Sequence, residues 1–202
     1  MSAPRILCIG VLASQGDFAA HARMLRSLGA EPREVRVPAE LDELDGLVVP
    51  GGESTTITKA LARDGLDAAI RDFAAAGGPV LGTCAGMIVL DREHLGLIDI
   101  TARRNAFGRQ RQSFEQELHV DGLGEEPLRA VFIRAPWVEE PGEGVEVLAA
   151  FDGHPVVVRE GHLLACAFHP ELTDDSRLHA LFMAIVSSSA AGSAVPTGGL
   201  ER

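Results

Sequence analysis

Hydrophobic and polar positions split this chain into two differently patterned halves. In the first, apolar runs alternate with stretches of helical spacing. Residues 5–12 read RILCIGVL, a continuous apolar run of the kind buried on both faces of a sheet. Phe18, His21, Ala22, Met24, Leu25 and Leu28 then recur at helical spacing, with Asp17 placed to cap and Gly29 to stop the helix. Residues 34–37 and 46–49 predict two more strands. Pro50-Gly51-Gly52-Glu53-Ser54 reads as a turn followed by an N-cap. Residues 55–63 and 66–76 predict helices broken at Gly65, and Gly77-Gly78-Pro79 is a stop. Residues 80–83 predict a fourth strand, and 85–90 a helix entered abruptly.

The second half changes character. Residues 113–120, 129–133, 145–150, 155–159 and 163–168 predict strands joined by tight turns, and Asp152-Gly153 signals a hairpin. Residues 174–186 predict a last helix, capped by Thr173 or Asp174. The Ser/Ala/Gly-rich residues 187–202 predict a disordered tail. Strand alternating with helix implies an α/β fold: a central, mostly parallel sheet with helices on both faces and extra antiparallel strands in the second half. The expectation is a single domain over residues 1–186.

Composition narrows the partners. At 202 residues, 46% hydrophobic and 23% charged, the chain can bury a real core. A formal charge of −11 argues against nucleic acid and anionic membrane as partners. No apolar stretch approaches the roughly 20 residues of a membrane helix. The cysteines, Cys8, Cys84 and Cys166, are odd in number and too widely spaced for a disulfide framework or a zinc knuckle. A reducing, cytoplasmic setting is expected, with no signal-peptide layout, catalytic metal or cofactor.

Two motifs carry chemistry. Gly82-Thr83-Cys84-Ala85-Gly86 has the form G-x-C-x-G between an apolar strand and a helix, the cysteine version of a nucleophile elbow. The turn needs small neighbours that approach without Cβ clashes. The helix that follows directs its positive end at the sulfur. The plainer reading, a buried structural cysteine, suits Cys8 and Cys166 within their apolar strands. The second motif is Phe168-His169-Pro170-Glu171, which closes the run LLACAFHPE. It puts an imidazole at the carboxyl edge of a sheet, where open α/β folds place their sites. In extended chain, residues i and i+2 share a side, so Glu171 can reach the far nitrogen of His169 and fix its tautomer. The other six histidines, His21, His94, His119, His154, His162 and His179, read as surface or satisfied core residues.

With these motifs the chain resembles class I, triad-type glutamine amidotransferases and, within them, the glutaminase subunits of pyridoxal 5′-phosphate synthases. The resemblance spans residues 6–186. It rests on Gly16-Asp17, Pro50-Gly51-Gly52-Glu53-Ser54-Thr55-Thr56, the two motifs above, Arg104-Asn105-Ala106-Phe107-Gly108-Arg109-Gln110, Ser113-Phe114-Glu115 and Val131-Phe132-Ile133-Arg134-Ala135-Pro136. It implies a flavodoxin-like fold and a triad of Cys84, His169 and Glu171. It implies an oxyanion hole from the backbone at Gly52 and Ala85, and L-glutamine held by Gly52, Glu53, Ser54, Arg104, Ile133 and Arg134. Arginine suits an α-carboxylate, because its fork binds both oxygens; the plainer reading of Arg104 and Arg134 is a surface ion pair. The implied partner is a (β/α)8-barrel synthase subunit that receives the ammonia. The chain departs from the family in residues 90–95, which form a shorter segment, at Ala13-Ser14-Gln15, and at Arg111-Gln112.

Three other functions fit the elbow: a triad glutaminase of another pathway, such as histidine or purine synthesis; a cysteine peptidase; and a non-enzymatic protein with a redox-sensing cysteine. A partner pull-down, peptide cleavage and peroxide labelling of Cys84 would separate them.

Overall fold

The computed structural model describes residues 5–108 and 112–192. Its centre is a seven-stranded sheet in the order β2-β1-β3-β4-β11-β10-β9. The strands are β1 (Cys8–Leu12), β2 (Glu31–Val35), β3 (Gly46–Val49), β4 (Val80–Thr83), β9 (Glu146–Phe151), β10 (His154–Glu160) and β11 (Leu163–Cys166). From β2 to β11 all neighbours are parallel. β10 and β9 then add on antiparallel. β1, β3, β4 and β11 are buried along their whole length, which is why they read as unbroken apolar runs.

Among the described residues five helices cover the sheet: α1 (Phe18–Ser27), α2 (Ser54–Asp64), α3 (Leu66–Ala75), α4 (Ala85–Leu90) and α5 (Arg177–Gly192). α1 buries Ala20, His21, Ala22 and Leu25, and Asp17 caps it by accepting from the Ala20 amide at 2.9 Å. Gly65, with φ 73°, ends α2 and turns the chain into α3, as the sequence predicts. The hairpin predicted at Asp152-Gly153 joins β9 to β10 with φ 51° and 78°, the left-handed pair a two-residue hairpin turn needs.

Several boundaries differ from the sequence reading. β2 lies three residues earlier than 34–37; it is an edge strand, where Pro32 is tolerated, and Pro38 opens a 3-10 turn. α2 is capped by the Glu53 carboxylate rather than by Ser54. Neither Thr173 nor Asp174 caps α5; the Asp175 carboxylate accepts from the Arg177 amide at 3.0 Å, so the helix starts later. It also runs past Val186 to Gly192, into the stretch predicted as tail, with the Ser187 and Ser188 hydroxyls bonding back to Met183 and Ala184 carbonyls. Residues 193–202 lie outside the described residues. Two strands are absent from the sequence reading: β5 (Ile100–Arg103) and β8 (Trp137–Pro141), which pair with each other. Both are short and charged, and β8 ends in proline, so neither shows a strand's alternation. β6 (Ser113–Leu118) and β7 (Leu128–Ile133) form a second small antiparallel pair. Among the described residues no helix is long and apolar enough to cross a membrane.

Candidate active site

Three adjacent parallel strands build the site with their carboxyl ends. β3 runs into the Pro50-Gly51 turn, β4 into Cys84, and β11 towards His169. The Cys84 amide donates to the Cys166 carbonyl at 2.8 Å, so the elbow is tied to the strand that leads to the histidine. Cys84 itself has φ 50° and ψ −111°, outside the broad regions open to an L-residue. Its neighbours explain how the strained turn is tolerated. A Cβ on Gly82 would come within 2.8 Å of the Gly86 backbone, and one on Gly86 would collide with the Val49 carbonyl oxygen. A Cβ on Gly51 would stand 2.7 Å from His169 Cε1 and 3.3 Å from Cys84 Cβ, so that turn is glycine because the base and the elbow close in on it.

His169 Nδ1 lies 2.7 Å from Glu171 Oε1. With Nδ1 committed, the other ring nitrogen is left for Cys84, whose thiol donates to the Ile133 carbonyl at 3.8 Å. Burial works to lower the His169 pKa, but hydrogen bonds and charge from Cys84 and Glu171 outweigh it and raise it to about 10. Burial pushes the Glu171 carboxyl up, yet its bond to His169 and the fields of His21 and His169 bring it below the ordinary value. Both effects favour an imidazolium paired with an ionised Glu171, the arrangement an acid-base residue requires.

These groups open onto a cavity of about 330 Å³, lined by Cys84, Ala85, His169 and Glu171 and by the candidate glutamine-binding residues Gly52, Glu53, Ser54, Arg104, Ile133 and Arg134. Gly16, Asp17, Gly51, Ile88, Asn105, Pro136 and Leu172 line it as well. Among the described residues five non-glycines have positive φ, and Cys84, Asn105 and Arg134 of these line the cavity. The Arg104–Gly108 stretch is held by Phe107, whose ring packs edge-on against Phe114, Phe132 and Trp137 at centroid distances of 5.2, 5.5 and 5.1 Å. Arg109, Gln110 and Arg111 lie outside the described residues.

The rim is wired separately. The Glu53 carboxylate accepts from the Thr56 hydroxyl and from the Thr56 and Thr55 amides, which pull its pKa down to about 2. Arg104 donates to Thr55 Oγ1 at 2.7 Å and to His94 Nε2 at 3.2 Å, and sits 3.8 Å from Glu53 Oε1. His94 is carried in turn by the buried Asp91. The sequence reading missed His94 because only the fold brings the 90–95 segment to the rim. It also missed His21 and His179, which lie fully buried behind Glu171. The one available signal was a histidine on the buried face of an amphipathic helix.

The architecture and cleft define the class: a glutamine amidotransferase. A solved glutamine amidotransferase superposes with a TM-score of 0.84 and 46% identity, covering 89% of this chain and 98% of that one. The chain belongs to the SNO glutamine amidotransferase family, which it matches over residues 11–188. Its relatives include the pyridoxal 5′-phosphate synthase subunit PdxT of Frankia alni, 55% identical over 95% of this chain and 100% of the relative. The protein of the same name from Niallia circulans is 52% identical over 88% of this chain and 97% of its own length.

Proposed function

We propose that this protein hydrolyses L-glutamine to glutamate and ammonia, and passes the ammonia to a synthase subunit that makes pyridoxal 5′-phosphate. The observation that carries the reading is Cys84 on a strained elbow beside an imidazole held by a buried carboxylate. The Cys84 sulfur, its proton on His169, adds to the side-chain carboxamide carbon. The oxygen that gains charge faces the backbone N–H groups of Gly52 and Ala85, a contribution of about 3 kcal/mol per donor in sites of this type. His169 hands its proton to the departing nitrogen, ammonia leaves, and a γ-glutamyl thioester remains. Water then gives a proton to His169 and attacks the thioester; glutamate departs and the proton returns to the Cys84–His169 pair. Glu171 keeps the ring oriented through both steps.

Arg104 and Arg134 suit the substrate's α-carboxylate, and Gly52, Glu53, Ser54 and Ile133 complete its pocket. The synthase partner is supported by the relatives' names and, as a (β/α)8 barrel, by the family resemblance; the setting is cytoplasmic. The test is labelling with a glutamine-mimicking electrophile, with and without the synthase. Wild type is expected to be modified at Cys84, with glutamine protecting it, and Cys84→Ser to stay unlabelled. Ammonia release is expected to rise when the synthase is added. Labelling of Cys8 or Cys166 instead, or no protection by glutamine, would overturn the assignment.

A further inference from the structure

Two histidines behind the cleft take no part in the reaction as written. His21 stands on α1 and His179 on α5, and both are fully buried. His21 Nε2 lies 3.3 Å from Glu171 Oε2 and 3.2 Å from Thr83 Oγ1. Its Nδ1 lies 2.9 Å from His179 Nε2. Two buried polar atoms have no hydrogen-bond partner among the described residues, His179 Nδ1 and Glu171 Oε2, so the 3.3 Å approach of His21 to Oε2 is a charge–dipole contact and not a hydrogen bond.

Proton positions follow from this order of contacts. Burial lowers the pKa of both rings, that of His179 to about 3, so both are neutral. An ionised Glu171 can only accept, so His21 carries its hydrogen on Nε2. Its bare Nδ1 then accepts from the Nε2–H of His179, which leaves His179 Nδ1 as an unprotonated lone pair. The opposite tautomers would set a lone pair against the carboxylate and bury a His179 N–H without an acceptor, the costlier arrangement. The two oxygens of Glu171 thus face two imidazoles, His169 on the cleft side and His21 on the core side.

We propose that His21 is a positioning residue of the active site: the positive end of its Nε2–H, 3.3 Å from the oxygen His169 does not use, steadies Glu171 electrostatically, and His179 fixes the His21 tautomer. The inference rests on the glutaminase reading and deepens it. The titratable groups facing His21 and Glu171 are Asp17 before α1, Cys166 at the end of β11, His169, and His179 from α5. Of the histidines among these, His169 is the one whose pKa is raised, to about 10, with Glu171 among the causes, so a shift in its titration reports on Glu171.

The experiment compares wild type with His21→Ala and His21→Gln, as full chains with and without the synthase. It reads glutamine hydrolysis and, by NMR of ¹⁵N-labelled histidine, the titration of the His169 ring. His21→Ala is expected to lower kcat about tenfold, the loss of one close favourable contact to a buried carboxylate. KM should hardly move, and the His169 midpoint should fall. His21→Gln, whose amide can still donate to Oε2, should recover part of both. A folded His21→Ala with unchanged kcat and unchanged His169 titration would overturn the proposal. Should His21→Ala fail to fold, His21→Asn replaces it: its shorter amide cannot reach Glu171, and behaviour equal to that of His21→Gln would be equally fatal. If wild type released no ammonia, the glutaminase reading would fall, while the NMR comparison would still decide the role of His21.

Discussion

Two buried carboxylates in this chain each hold a histidine through Nδ1, and at the same distance. Asp91 Oδ1 to His94 Nδ1 and Glu171 Oε1 to His169 Nδ1 both measure 2.7 Å, and both carboxyl side chains are 1% exposed. The pairs differ in what surrounds them. Asp91 is pinned by backbone, accepting from the Glu93, His94 and Ala102 amides, and the far nitrogen of His94 accepts from Arg104. Glu171 is flanked by imidazoles, and Cys84 acts on His169 by hydrogen bonding and charge. A carboxylate–histidine pair is therefore a base only where its free nitrogen faces a nucleophile. Where it faces a guanidinium, it must stay unprotonated there and serves as a prop.

The widest gap between the pairs should appear on removing what the far nitrogen meets. Cys84→Ala is expected to lower glutamine hydrolysis by about 10⁴-fold or more, because losing the nucleophile disables the whole unit. Ammonia release under saturating glutamine measures it, and the variant should still bind glutamine. Retention of more than a small fraction of the rate would make the two pairs equivalent props.

Glu171→Gln comes next. Loss of the orienting charge is expected to lower kcat by about 10³- to 10⁴-fold with the cleft intact. The pH dependence gives a second reading. His169 is raised from 6.5 to about 10, so its contribution to stability is full below 6.5 and lost as pH rises through about 10. Glu171 is lowered, so its contribution is present above 4.5 and fades as pH falls through its depressed value. In Glu171→Gln the His169 midpoint should drop towards 6.5, and thermal melting between pH 7 and 10 should flatten. A wild-type melting temperature that stays level from pH 8 to 11 would remove the basis for the pairing.

What the sequence disclosed tracks the physics of each region. The strands β1, β3, β4 and β11 are buried on both faces, so their apolar runs were unmistakable; the elbow lies directly at the end of β4, and the H-P-E step begins three residues past Cys166, the end of β11. Cys84, His169 and Glu171, the proposed triad, could be picked out as candidates because each motif needs local backbone geometry that only particular residues permit. The props could not. His94, His21 and His179 act through contacts made across the fold, such as the 158 positions that separate His21 from His179, and no local pattern records such a contact. β5 and β8 were hidden for a related reason: each is stabilised by the other, not by its own alternation. The length of α5 escaped because its last turn is Ser/Ala-rich, a composition shared by helices and tails alike.

The smallest effect separates prop from base most cleanly. His94→Ala removes the acceptor that, with Thr55, aims Arg104 across the rim. Arg104 is 40% exposed, so solvent screens the loss, and one such contact is worth about 1 kcal/mol. That corresponds to a rise of about fivefold in KM for glutamine, with kcat held, because the chemistry at Cys84 is untouched. Asp91→Asn should go the same way and add a stability cost, since its carboxylate also holds three backbone amides. Steady-state kinetics on both variants, with glutamine binding to Cys84→Ala as the reference, checks the split. A kcat loss in His94→Ala approaching that of Glu171→Gln would mean that the Asp91 pair also moves protons, and the distinction drawn from the far nitrogen would not hold.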